Sequence, residues 1–189
     1  MPASEASAPG SALTLADFTS PGLIVPYLRG QDAVAVIYEL SQALQREERV
    51  PDLLPFYHAA LNGEFLVSSD LEAGMAFPHV RLPGLKELSF ALGRSAEPLR
   101  WSVRPERSVR LVSLLAVPAT DATQYLLLIS GLARMAREKR LVEKLHAAQD
   151  TFQIVEVLKQ VQLRTSVGPN LTENKIPGPC GQTRETRGD

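Results

Sequence analysis

Three histidines, His58, His79 and His146, are the residues of this 189-residue chain best suited to nucleophilic or acid–base work near neutral pH. His79 lies in the stretch "GMAFPHVRLPG", directly after Pro78 and two residues before Arg81. Pro78 fixes its own backbone angle and biases Phe77 towards an extended conformation, so the strand-like "MAF" delivers His79 at a rigid point. If the strand continues, Arg81 falls on the same side as His79. A neutral imidazole is a competent nucleophile, and a guanidinium fork gives a phosphoryl group two charge-assisted hydrogen bonds. The residue types therefore admit a phosphoryl-accepting histidine. They equally admit a hydrogen-bonded surface histidine beside a turn, with Arg81 a solvated charge. His58, in "FYHAAL", and His146, beside Lys144, fall within helical patterns with no nearby acid or turn to orient them, and read as ordinary helix residues.

Other chemistries find little support. Cys180 is the single cysteine, so an internal disulfide is excluded, and no Cys/His cluster has zinc-ligand spacing. No paired carboxylates or metal-spaced histidines suggest a metal hydrolase. Twenty basic and 21 acidic residues leave a formal net charge of −1 with no long basic run, which disfavours nucleic-acid binding. No apolar stretch approaches the ~20 residues that span a bilayer, and "MPASEASAPGSA" lacks the charged and apolar regions of a secretory signal. A cytoplasmic protein is expected, and the "NLT" sequon at Asn170 then reads as a chance match.

The elements that must position His79 follow from periodicity. "QDAVAVIYELSQALQRE" puts Ala33, Val36, Ile37, Leu40 and Leu44 on one stripe of an amphipathic helix. A shorter helix is predicted through "PDLLPFYHAALNG", capped by Asp52, tolerating Pro55 in its first turn and ending near Gly63. "ELSFALGRS", "PLRWSV" and "SVRLVSLLAVP" read as strands, the last apolar enough to be buried on both faces, and Trp101 among them reads as packing. Helices return after Asp121, with Leu128, Leu132 and Met135 as the stripe of the first and Leu141 and Leu145 on the second. Asp150 and Gln153 give a capping-box pattern before the last. The fold class is α/β (α+β): one domain, residues 13–163, with a mixed or antiparallel sheet flanked by helices. Residues 1–12 and 164–189, polar or rich in Ala, Ser, Gly and Pro, read as flexible tails.

From Asp32 to about Val161 the chain resembles the IIA domains of the bacterial phosphoenolpyruvate:sugar phosphotransferase system, in the fructose/mannitol class that includes the nitrogen-regulatory IIA proteins. "GMAFPHVR" is similar to the family's glycine-containing lead-in, Pro-His and following basic residue. "ALNGEFLVSS" keeps its acidic residue as Glu64 and its hydroxyl residues as Ser68 and Ser69, and "GLARMAREKRLVEKLHAAQDTFQIVEVL" follows its closing helices.

The resemblance implies a mixed sheet between helices and a phosphohistidine at His79, charged by the phosphocarrier HPr or its nitrogen-branch counterpart. Onward transfer would go to a IIB domain, or the phosphorylation state would tune binding to a regulated target. Ser69, Arg81 and backbone amides of the turn are the implied phosphate donors of hydrogen bonds. No cofactor or metal is implied. In this chain Gly63 stands where the family commonly has an arginine, and Tyr125 aligns with its second histidine. A phenol donates a hydrogen bond but does not supply an imidazolium's charge. The alternative to a phosphocarrier is therefore a protein-interaction module of the same fold. Met75, Phe77 and Leu82 are candidates for an apolar docking face around His79, part of which must be core.

Overall fold

The computed structural model describes residues 12–66, 74–101, 108–120 and 122–163. Its central element is β5 (Val109–Pro118), buried along its length. β4 (Ser89–Leu99) pairs antiparallel with one edge of β5, and on the other edge β2 (Met75–Ala76) and β3 (His79–Leu82) pair parallel with it in succession. β1 (Ile24–Val25) adds to β4 in parallel at the far edge. The sheet is mixed, one of the two arrangements that the strand pattern left open and the one that the resemblance implied.

Alternation on these strands divides the interior in two. Met75, Phe77, Phe90, Leu92, Leu111 and Leu115 face α3 (Ala122–Arg137), α4 (Lys139–Ala147) and α5 (Thr151–Lys159). Ala76, Val80, Ala91, Val112 and Leu114 face α1 (Ala33–Arg46) and α2 (Leu53–Leu66). The result is three layers, with helices covering both sides of one sheet. The stripes read from the sequence are the buried ones: Val36, Ile37, Leu40 and Leu44 in α1, and Leu128, Leu132 and Met135 in α3, are fully buried.

Caps set the helix starts. Asp32 accepts from Ala35 N at 2.9 Å at the head of α1, and Asp150 accepts from Gln153 N at 2.8 Å at the head of α5. The reciprocal half of the α5 box is offset by one residue: the Gln153 side chain reaches Gln149 N instead of Asp150 N. Asp121 lies outside the described residues.

Two elements differ from the sequence reading. α2 does not end near Gly63 but runs to Leu66. A mid-helix glycine costs ~1 kcal/mol. Glu64, the next residue, is buried and accepts from the Trp101 indole N–H at 2.8 Å, a contact that favours carrying the helix past the glycine. The segments "ELSFALGRS" and "PLRW" are not two strands but one long β4. Its register against β5 shifts between Arg94 and Leu99, and Pro98 falls in that unladdered stretch, where its missing N–H is not needed.

Arg94 ties β4 to the end of α4 and to the segment after β1. It is buried, yet its guanidinium has no carboxylate partner among the described residues. Its Nη1 donates to the carbonyls of Leu145, His146 and Ala148 at the C-terminal end of α4, and its Nε to Pro26 O at 3.0 Å. The negative end of a helix thus supplies the counter-charge. Burial there is the largest cause, followed by the charges of Arg110 and Arg94, holding His146 below the ordinary imidazole pKa. Replacing Arg94 by methionine leaves those carbonyls without their donor, and is expected to cost ~3 kcal/mol in urea unfolding. Leu54→Ala, at an exposed position of α2, should change stability by less than ~0.5 kcal/mol in the same assay.

Candidate functional site

Pro78 cannot donate to β5, which separates β2 from β3, but its carbonyl accepts from Leu115 N at 2.9 Å. The peptide leading into His79 is therefore pinned to the central strand. His79 opens β3 opposite Leu115, and Arg81 follows opposite Val117. Both side chains are exposed while Val80 between them is buried, so the alternation puts the histidine and the arginine on one side, as their spacing suggested.

On that side they meet Tyr125, in the first turn of α3. The His79 and Tyr125 ring centroids are 5.7 Å apart with planes inclined at 41°. The Arg81 guanidinium carbon lies 5.6 Å from the centre of the same ring, a cation–π contact. Two residues of β3 and one of α3 thus form one cluster, with His79 and Arg81 exposed and Tyr125 half-buried. Ser69 and Ser68 lie outside the described residues.

The His79 ring has an orientation. Its Nδ1 is 3.4 Å from the carbonyl oxygen of Phe77. A carbonyl can only accept, so this contact favours the tautomer with the proton on Nδ1 and the lone pair on Nε2.

α2 passes close by. Among the described residues a Cβ on Gly63 would meet the His79 carbonyl oxygen, at 3.9 Å, so a side chain here would start beside the His79 backbone. Glu64 is buried and accepts from Trp101, which belongs to the core under α1 and α2. Trp101 is thus packing, with its N–H satisfied.

Some expectations are corrected. Met75 and Phe77 are fully or almost fully buried in the core beneath α3 and offer no docking face, and Leu82 is half-buried against the other core. The exposed apolar residue beside the cluster is instead Leu126, 63% accessible and adjacent to Tyr125. Its signal was in the run "LLLI": a helix that buries Leu128 cannot also bury Leu126, 200° around the axis. The Arg81–Tyr125 contact had no sequence signal, since it depends on where α3 docks. His58 is exposed on α2 with its ring 5.2 Å from that of Tyr57, and His146 lies on α4; neither joins the cluster. Among the described residues no group of three His, Cys, Asp or Glu side chains could hold a metal ion.

The model of the phosphoenolpyruvate-dependent sugar phosphotransferase system, EIIA 2, matches residues 17–161. The chain belongs to this family. A nitrogen regulatory protein of Bradyrhizobium diazoefficiens is 26% identical over 146 residues, covering 77% of this chain and 95% of that protein. Nitrogen regulatory protein IIA-Ntr from Neisseria meningitidis superposes with a TM-score of 0.66 at 23% identity, over 76% of this chain and 98% of that one. Enzyme IIA-Mtl of Escherichia coli, solved in complex with phosphorylated enzyme IIB-Mtl, superposes with a TM-score of 0.64 at 16% identity, over 75% and 96%. These IIA structures share the three-layered fold described above. No described helix of this EIIA chain is long and apolar enough to cross a membrane.

The tautomer is open to direct measurement. Nitrogen-15 spectra of the labelled protein with a neutral His79 ring should show its Nδ1 protonated and its Nε2 bare. A predominant Nε2–H form would mean that the Phe77 carbonyl does not orient the ring.

Proposed function

We propose that His79 is the phosphoryl acceptor of this IIA protein, using Nε2 as the nucleophile. The observation that carries the reading is the ring held by its Nδ1 towards Phe77 O at the pinned start of β3, with its side chain exposed to a partner. In the transfer, the Nε2 lone pair attacks phosphorus as the bond from phosphorus to the donor's imidazole nitrogen breaks. The donor leaves with its electron pair, and the proton on Nδ1 stays where it is. Donor and acceptor are chemically alike, so the protein's contribution is alignment and stabilisation of charge on the equatorial oxygens.

Arg81 is the cation for those oxygens, and Tyr125 contributes a phenolic hydrogen bond. Arg81 rests over Tyr125 and has no ion pair among the described residues, so no carboxylate has to be displaced before it turns to a phosphate. Ser69 remains a proposed donor on the strength of the family resemblance. The phosphoryl source is an HPr-type carrier or its nitrogen-branch counterpart. The protein acts in the cytoplasm as a regulatory IIA, whose phosphorylation state alters binding to a target, in preference to feeding a IIB domain in sugar uptake. The match along 95% of a nitrogen regulatory protein supports that preference.

Gly63 and Tyr125 favour a second reading, a partner-binding module of the same fold that does not turn over phosphate. Incubation with phosphoenolpyruvate, Enzyme I and HPr, or the nitrogen-branch pair, separates the two. An acid-labile phosphoryl adduct by intact mass, absent in His79→Ala, is the expected result. No adduct on folded protein with cognate donors would leave the binding module as the better account.

The same assay tests the charge at the site. Gly63→Arg starts a cationic side chain beside the His79 backbone, with no closer neighbour among the described residues, and should raise the phosphorylation rate about tenfold, the worth of one charge-assisted hydrogen bond of ~1.4 kcal/mol made in the transition state. Arg81→Gln should lower it by a similar factor or more. A rate unmoved by either change would mean that neither side chain reaches the transferring group.

A further inference from the structure

At the opposite edge of the sheet from His79, the segment after β1 runs beside the exposed face of α1 and the two line an open cavity of about 600 Å3. We propose that this cavity binds a small anion bearing a planar ring, of the size and charge of a nucleoside monophosphate. Its volume lies within the range usual for small-molecule sites. The proposal is independent of any phosphoryl chemistry at His79.

The lining supplies two kinds of contact. Tyr27 and Tyr38 present aromatic rings, 65% and 38% exposed respectively, and both are held from behind. Tyr27 donates from its hydroxyl to Gln149 O and has the Arg94 guanidinium 5.4 Å from its ring centre. Tyr38 meets Tyr57 nearly edge-on, at 5.2 Å and 83°. Exposed rings immobilised by such contacts lose little freedom when a planar ligand stacks on them. Arg29 and Arg46 also line the cavity, and neither is in an ion pair among the described residues. Two uncommitted guanidinium forks facing one concavity suit a phosphate or carboxylate.

Glu39 is the acidic member of the wall, and its carboxylate is already engaged. One oxygen, Oε2, accepts from the backbone N–H groups of Arg29 and Gly30 at 3.0 and 3.2 Å. This bond ties the loop to α1 and draws the negative charge towards the backbone instead of the two arginines. Gly30 permits the close approach: a Cβ there would fall 2.8 Å from Val36 N and 2.9 Å from Ala35. The wall is thus built from a loop clamped to a helix, with Arg29, Arg46 and Glu39 leaving one positive charge in excess.

The test is a titration of the full chain, followed by amide NMR, with adenosine 5′-monophosphate, adenosine and inorganic phosphate as separate probes. The monophosphate is expected to shift Gly30, Tyr38 and Gln42 saturably, with adenosine and phosphate each at least tenfold weaker. Arg29→Gln combined with Arg46→Gln, both at exposed positions and checked for folding by circular dichroism, should weaken it at least tenfold. Tyr38→Ala should do so while leaving phosphate binding unchanged. The proposal is overturned if the monophosphate gives no saturable shifts here or shifts residues of β3 instead. It is equally overturned if adenosine or phosphate alone binds as well, or if the double variant binds undiminished.

Discussion

Nearly everything in this fold hangs on β5 being satisfied on all four sides at once. Its two edges take hydrogen bonds from β4 and from β2 and β3, and its two faces carry the apolar residues of both cores. A strand so enclosed has no solvent to satisfy a missed bond, so its neighbours' registers are fixed within a residue. That constraint sets the position of His79. The histidine sits opposite Leu115 because Pro78, which cannot donate, accepts from Leu115 N, and a one-residue slip would turn His79 inward and Val80 out. The site's accuracy comes from the sheet's centre, although the site itself is exposed.

Charge is supplied sparingly throughout. Arg94, buried with no acid opposite it, is balanced by the carbonyls that end α4, a device that spends no carboxylate and ties β4 to the second helical layer. In the cluster at His79, Arg81 is the one cation among the described residues, and it lies over a phenol ring.

Periodicity made the helices and the central strand legible, because an amphipathic stripe and a doubly buried strand are properties of the chain's own order. Leu40 and Leu128 had to be inside, and they are. The side shared by His79 and Arg81 was legible for the same reason. What the sequence left hidden depends on contacts made at long range. Gly63 reads as a helix stop until Glu64 finds Trp101, 37 residues away. Pro98 reads as a strand break until β4 is seen to shift register around it. Met75 and Phe77 read as docking residues until α3 covers them. The pairing of Tyr125 with both His79 and Arg81 belongs to the same class, since it follows from how α3 packs and not from anything local to either segment.

The indole of Trp101 is the only one in the protein. It is buried, and its N–H is bonded to the residue next to Gly63, whose own neighbour across the layer is the backbone of His79. The molecule therefore carries an intrinsic fluorophore bonded to the part of α2 that lies beside the His79 backbone. Any event at His79 that displaces the end of α2 changes the polarity around a single emitter, and can be followed in real time by its fluorescence without a label.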